Sequence, residues 1–361
     1  MGIDTGFWRG RRVLVTGHTG FKGGWLCLWF RALGAEVTGY ALAPDTDPSL
    51  FEAAGVADGL VSRIGDVRDA AALRAAVRDA APSVVLHLAA QSLVRRSYDD
   101  PLGTYATNVM GTANVLEAVR HAPGVRAVLL VTSDKCYENR DLSRGYREDD
   151  PVGGWDPYSS SKGCAELVTA AYRRSFFGAG SHRAAVASAR AGNVIGGGDW
   201  AQDRLVPDLV RAFLAGRPAR IRYPDATRPW QHVLDVLAGY LQLAQRLVSD
   251  PVDAGESWNF GPAPETAVPV SRVAELFTAQ WDDGARWETD AQTEHPHEAR
   301  ALVLDASKAG ARLGWRPALD LRATLEWTAR WYRAHAAGKD MGEFTAGQIR
   351  QYMQLAGGHA Q

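Results

Sequence analysis

Short apolar runs and longer amphipathic ones alternate through the first half of the chain. Residues 12–16 (RVLVT), 36–40 (EVTGY), 61–66, 83–89 (SVVLHLA) and 126–132 (RAVLLVT) read as strands. Their apolar residues are nearly continuous, as in parallel strands covered on both faces. Between them, residues 23–33, 70–80, 101–120 and 158–175 carry helical spacing. Such alternation predicts an α/β fold built on a doubly wound parallel sheet. The second half is less regular, with loop-rich stretches at 196–204, 223–229 and 261–269. Helical patterns cover 206–215, 235–248 and 270–280, with a helical tail after Ala323. Residues 185–189 are expected to extend the sheet, and much of the remainder to form a lobe beside it.

Composition narrows the class. A length of 361 residues suggests two domains, or one with an appended lobe. Apolar residues at 46% and charged residues at 22% are ordinary globular values. Forty basic against forty-one acidic side chains, without a block of like charge, argue against nucleic-acid and polybasic membrane partners. No apolar run approaches the roughly 18 residues of a membrane span. Residues 1–10 carry Asp4 and no apolar core, so a cytoplasmic chain without a secretory leader is expected. Cys27, Cys136 and Cys164 are scattered and odd in number, which fits a reducing compartment. Lysine is scarce: five of the forty basic residues, at 22, 135, 162, 308 and 339, so each raises the question of whether an amine is needed there.

Directly after the first strand comes Thr16-Gly17-His18-Thr19-Gly20-Phe21-Lys22-Gly23, with GxxGxxG spacing, opening a helix. Glycines there let backbone N–H groups approach a pyrophosphate, and a helix N-terminus favours negative charge. Strand before and helix after favour a dinucleotide site over an ordinary βα turn. The acidic residue expected to hold the adenosine ribose, around residues 40–42, is absent, as is any Arg or Lys between Glu36 and Ser62. Lack of a cation for a 2′-phosphate favours NAD and predicts weak retention. Asp66, in IGDV, is a candidate for the adenine end; an exposed strand-end Asp is the alternative.

Tyr158-Ser159-Ser160-Ser161-Lys162 puts a phenol and an amine at i and i+4 on one helix face. A phenol is a poor base near neutrality, and a neighbouring ammonium favours its phenolate. Taken with the glycine loop, the pair points to hydroxyl deprotonation during hydride transfer. Upstream, a predicted strand ends in Thr132-Ser133-Asp134-Lys135-Cys136-Tyr137. Carboxyl ends of parallel strands are where open α/β sheets bind ligands. A hydroxyl, an acid and an amine there could supply a hydrogen bond, a general acid and a general base. A surface turn with an internal Asp–Lys pair remains the other possibility.

The strings GHTGFKGGWL, LHLAAQSLVRRSY, TNVMGT, VTSDKCYEN, DPYSSSKGCAELV, RAGNVIGGGDWAQDRLVP, RPWQHV and HPHEA fall in order along residues 7–353. They resemble the extended short-chain dehydrogenase/reductase family, and within it the 4,6-dehydratases of CDP-glucose. The resemblance implies a Rossmann-type NAD domain at 7–190, with 230–260 returning to it. A mixed α/β sugar-nucleotide lobe would comprise 191–229 and 261–353. It implies NAD as internal redox cofactor, held by Gly17, Thr19, Gly20, Phe21, Lys22, Gly23, Asp66, Val67, Ala89, Ala90, Gln91 and Asn108, with Tyr158 and Lys162. Catalysis would use Tyr158 with Ser133 at C4, Lys135 as the C5 base and Asp134 as the acid for the C6 hydroxyl. CDP-glucose would be held by Gln91, Ser92, Val94, Asn193, Arg204, Arg228 and His297. A homodimer or dimer of dimers, formed through 101–120 and 158–175, is implied as well.

A lysine base must be kept neutral by burial or nearby cations, whereas Asp134 must hold a proton beside an amine, so the two are expected to titrate as one unit. His295, His297 and Glu298 are separated by Pro296 and lack a third nearby ligand, so no metal is expected. Cys136 reads as a small buried side chain. A sugar-nucleotide 4-epimerase or decarboxylase would share the loop and the YxxxK pair but needs no acid and base after Ser133. A non-catalytic dinucleotide-sensing protein would have no use for the Tyr158–Lys162 pair.

Overall fold

The computed structural model describes residues 2–177, 184–262, 267–281, 284–290 and 302–358. Its centre is a seven-stranded sheet formed by β1 (Arg12–Thr16), β2 (Glu36–Ala41), β3 (Val61–Ile64), β4 (Val84–His87), β5 (Ala127–Val131), β6 (Ala185–Arg190) and, at one edge, β11 (Ser257–Asn259). Every pairing in it is parallel, in the order Ser257–Asn259, β6, β5, β4, β1, β2, β3. Strand order reverses at β1, between β2 and β4, and such a switch point opens a crevice at the carboxyl ends. The register sets those ends level, Thr16 facing Tyr40 on one side and His87 on the other.

Alternation along each strand divides the core in two. Val13, Val15, Val84, Leu86, Ala127 and Leu129 point to one face, under helices Phe21–Ala32 and Val233–Ser249. Leu14, Val85, Val128 and Leu130 point to the other, under helices Ala70–Ala80 and Gly111–Arg120. Burial on both faces is why these strands look continuously apolar. The outermost strand departs from that expectation. β3 ends at Ile64, and Val61 and Ile64 are 55% and 61% exposed, because an edge strand lies beyond the helices that cover its neighbours.

Residues 101–120, expected as one helix, form three pieces: Pro101–Tyr105, a π-helical turn at Ala106–Met110, and Gly111–Arg120. The widened turn carries Asn108 inward to a position 2% exposed. The tail after residue 320 is two helices, Leu321–Ala336 and Met341–Gly358, packed on the Trp25–Trp29 side of the core. Short pairs of strands build the lobe: β7 (Val194–Ile195) with β10 (Gln231–His232), β8 (Ala219–Ile221) with β13 (Trp287–Thr289), and β9 (Thr227–Arg228) with β12 (Val268–Pro269).

One buried carboxylate staples the last helix to this frame. Asp235 Oδ1 accepts from Ala318 N at 2.7 Å and from Tyr352 Oη at 2.8 Å. Burial raises its pKa to about 6. Ionising it therefore costs more in the folded than in the unfolded chain, a penalty absent below about pH 4 and complete above about pH 6. Asp235→Asn keeps one oxygen acceptor and removes the charge. The variant is expected to match the wild type in urea unfolding near pH 4 and to exceed it by about 1–3 kcal/mol at pH 8. An equal or smaller stability at pH 8 would show that the charge is not the liability.

Candidate active site

A cleft of about 1240 Å³ runs along the carboxyl ends of the sheet and under the lobe. It exceeds the roughly 300–1,000 Å³ of a site for one small molecule, so there is room for a dinucleotide and a second ligand.

At one end lies the glycine loop. Gly17 has φ +80°, and a Cβ on it would meet Ala89 N at 2.7 Å. A Cβ on Gly23 would lie 2.0 Å from the Gly17 carbonyl oxygen. The backbone thus turns against itself, and helix Phe21–Ala32 starts at the cleft wall with Gly20 as N-cap. Thr19 Oγ1 ties the loop to Leu42 O at 2.8 Å, and Phe21 also lines the cleft. Lys22 faces the cleft, where burial and the neighbouring Arg204 and Lys162 lower its pKa to about 8. Beneath the loop, His87 Nδ1 bonds Thr16 Oγ1 at 2.7 Å, and Thr16 Oγ1 accepts from Ala89 N at 3.2 Å. These bonds fix the Ala89–Ala90 edge that faces the glycines.

At the far end of this arm, Asp66 accepts from Arg68 Nε at 2.8 Å and Nη2 at 2.6 Å, and both line the cleft with Val67. No acidic side chain lies on β2 beyond Glu36, as the sequence indicates, but Asp45 and Thr46 reach the cleft from the following loop. That supply of polar groups depends on loop path and had no signal in strand pattern. Asn108 joins the arm to the reactive centre: its amide bonds Gln91 N and Gln91 O at 2.9 Å and Ser161 Oγ at 2.8 Å.

Ser133, Asp134, Lys135, Tyr158 and Lys162 all line one stretch of the cleft. Tyr158 and Lys162 lie on helix Pro157–Phe176, which Asp156 caps by accepting from Ser159 N at 2.9 Å. Ser133 caps a 3₁₀ turn at Asp134–Cys136, and its hydroxyl lies near enough to the Tyr158 phenol to favour the phenolate. Asp134, 4% exposed, accepts from Ser133 Oγ and Lys135 N at 2.9 Å, and from Asn193 Nδ2 at 3.5 Å. Its carboxylate lies on Gly192, where a Cβ would come within 1.8 Å of Oδ2. Lys135 is half-buried in the cleft wall, and its ammonium has no partner among the described residues.

Burial weighs on both members of the Tyr158–Lys162 pair. The Tyr158 phenol is pushed up to about 12 by burial, which outweighs the Ser133 hydrogen bond and the cationic Arg204. Lys162 is lowered to about 8 by burial, and its ammonium donates to Val131 O at 3.4 Å. Spacing put the amine beside the phenol but said nothing of the desolvation that both undergo.

Across the cleft, Arg204 bridges Asp199 Oδ2 at 2.8 Å and Ser92 Oγ at 2.9 Å, linking lobe to sheet. Arg228 is 6% exposed on β9, and with Gln91, Val94 and Asn193 it lines the same cavity. His297 and the HPHEA string lie outside the described residues. Among the described residues no cluster of His, Cys, Asp and Glu could hold a metal, and Cys136 is fully buried with its thiol pKa raised.

The glycine turn at the switch point, the Ser–Tyr–Lys group and the lobe over the strand ends define an enzyme of the extended short-chain dehydrogenase/reductase class. More specifically, the chain belongs to the GDP-mannose 4,6 dehydratase family, which it matches over residues 14–328. It is 50% identical to CDP-glucose 4,6-dehydratase of Salmonella typhimurium, covering 97% of this chain and 98% of that protein. Among solved structures it resembles the dTDP-glucose 4,6-dehydratase DesIV of Streptomyces venezuelae, determined with NAD and TYD bound. The TM-score is 0.76 and the identity 26%, over 91% of this chain and 99% of that one. UDP-glucose 4-epimerase of Thermus thermophilus, in complex with NAD, is as similar in fold: TM-score 0.76, 26% identity, covering 89% and 99%.

Because a methyl at residue 23 would collide with the Gly17 carbonyl, Gly23→Ala should displace the loop from the helix start. Dinucleotide affinity measured by calorimetry is expected to fall about tenfold or more, the equivalent of about 1.4 kcal/mol. Unchanged affinity would remove the loop from the binding site.

Proposed function

We propose that the protein converts CDP-D-glucose to CDP-4-keto-6-deoxy-D-glucose and water, with NAD as a cofactor that is regenerated within each turnover, as a step in deoxysugar formation. The observation that carries this reading is the Ser133-Asp134-Lys135 corner beside Tyr158 in one cleft. Oxidation at C4 needs the tyrosine alone, whereas loss of water across C5 and C6 needs an additional base and acid. Half-identity to a CDP-glucose 4,6-dehydratase over nearly the whole chain supports the same substrate.

NAD fits the arm built by Gly17, Gly20, Gly23, Asp66 and Ala89, and when bound it would accept hydride from C4 and return it to C6. Tyr158 takes the C4 hydroxyl proton while Ser133 holds that oxygen. Starting from a buried phenol, Tyr158 needs the positive charge of the site to become a base, and Lys162 contributes to it. The C4 ketone acidifies the neighbouring C5–H, whose proton Lys135 removes. Asp134 protonates the C6 hydroxyl, which leaves as water. Lys135 then returns a proton to C5. Arg204, Arg228 and Asn193 serve the diphosphate, guanidinium forks suiting its oxygens. Gln91, Ser92 and Val94 serve the sugar.

Self-association through residues 101–120 and 158–175 belongs to the same reading. Leu102, Met110 and Leu167 are 80%, 56% and 59% exposed there, an apolar face that a homodimer or dimer of dimers would cover. No helix among the described residues is long and apolar enough to cross a membrane, which is compatible with a cytoplasmic enzyme.

Incubation with CDP-, UDP-, dTDP- and GDP-glucose, with and without added NAD, is expected to give a 4-keto-6-deoxy product from the CDP sugar, dependent on added cofactor. An epimer instead of a dehydrated product would replace the reading by the epimerase one. Lys135→Ala should lower turnover by about 10²–10⁴-fold and abolish solvent deuterium exchange at C5 while C4 oxidation persists. Loss of both steps together would take the base role away from Lys135.

A further inference from the structure

The groups that touch the cleft are held from below by a side chain that does not. Glu166 lies one helical turn after Lys162, 4% exposed, and makes four bonds from two oxygens. Oε1 accepts from Thr132 Oγ1 at 2.5 Å. Oε2 accepts from Ser188 Oγ at 2.7 Å, Arg190 Nη2 at 2.8 Å and Ser257 Oγ at 3.2 Å. Thr132 immediately precedes Ser133, and Val131 is the residue whose carbonyl receives the Lys162 ammonium. Arg190 continues the network to Tyr137 Oη at 2.6 Å, and Tyr137 to Asn259 Oδ1 at 2.8 Å.

We propose that Glu166 is a positioning residue for catalysis: it ties the strand end bearing Ser133-Asp134-Lys135 to the helix bearing Tyr158 and Lys162, and its charge keeps Lys162 an ammonium in a buried site. The groups facing Lys162 divide accordingly. Lys22 from the glycine-loop helix opposes its charge, His87 at the end of β4 is held neutral, and Cys136 and Glu166 favour it. The Cys136 thiol is buried with a raised pKa and stays neutral, so the carboxylate supplies the negative charge. Arg190 offsets the cost of burying that carboxylate. The hydroxyls of Thr132, Ser188 and Ser257 add donors without adding charge.

The inference rests on Tyr158 and Lys162 acting as proposed above, and full activity in Tyr158→Phe would overturn that assignment separately. Glu166→Gln keeps the shape and removes the charge; Thr132→Val cuts the strand tie and keeps the charge; Thr132→Ser restores the tie. With variants confirmed as folded by circular dichroism, Glu166→Gln is expected to lower kcat about 10–100-fold with KM within about threefold. Its alkaline limb of kcat against pH should move to lower pH, since Lys162 loses its proton more readily. Thr132→Val should lower kcat about tenfold with the alkaline limb in place, and Thr132→Ser should recover most of it. Superimposable pH profiles for wild type and Glu166→Gln, or wild-type kcat in Thr132→Val, would overturn the proposal. If Glu166→Gln does not fold, the Thr132→Val and Thr132→Ser pair decides on the tie.

Discussion

The Glu166–Arg190 ion pair lies beneath the site with 3% and 4% of its side chains exposed, and the reactive groups are arranged around it. Two charges removed from water at this depth depend on each other, because removing one partner of such a pair costs about 3–5 kcal/mol. Thr132, Ser188 and Ser257 supply the remaining donors, so the sheet and the Tyr158 helix meet in a single geometry. A purely apolar contact would hold the two elements together but would tolerate small slides. For groups that must act together on one ligand, such slides are expensive.

At the cofactor end the same precision comes from missing side chains. Gly23 against the Gly17 carbonyl and Gly192 under the Asp134 carboxylate are places where a single methyl group would occupy the space of another atom. One end of the cleft is thus shaped by bare backbone and the other by a buried polar network. Both lie where parallel strands end, since there the backbone leaves the sheet and its neighbours can be polar. Between them Asn108, turned inward by a π-helical turn, couples the two ends through Gln91 and Ser161.

Much of the site was legible in the chain because its motifs are local. The glycine loop must follow a strand and open a helix, and YSSSK must put Tyr158 and Lys162 on one helix face; neither depends on distant residues. Strand limits came within about two residues because burial on both sheet faces writes itself as unbroken apolar runs. β3 shows the converse, an edge strand whose exposed Val61 and Ile64 carry the same letters without the same burial. Glu166 lies within the DPYSSSKGCAELV string, where nothing in sequence spacing tells a buried carboxylate from a solvated one. Lys308 was likewise unexplained until the fold placed its ammonium on Ser257 O and Glu256, over the Trp258 ring.

Sequence alone determined the fold class, the order of the elements and which residue types could do chemistry, because short-range spacing and side-chain identity suffice for these. Tertiary structure decided how those groups are charged and which residues support them. Spacing predicts that an ammonium accompanies Tyr158, but only burial shows the phenol pushed up to about 12 and Lys162 lowered to about 8. Desolvation depends on what the rest of the chain packs around a group, and the partners that answer it here come from residues 132, 188, 190 and 257, which only the folded sheet brings to one place.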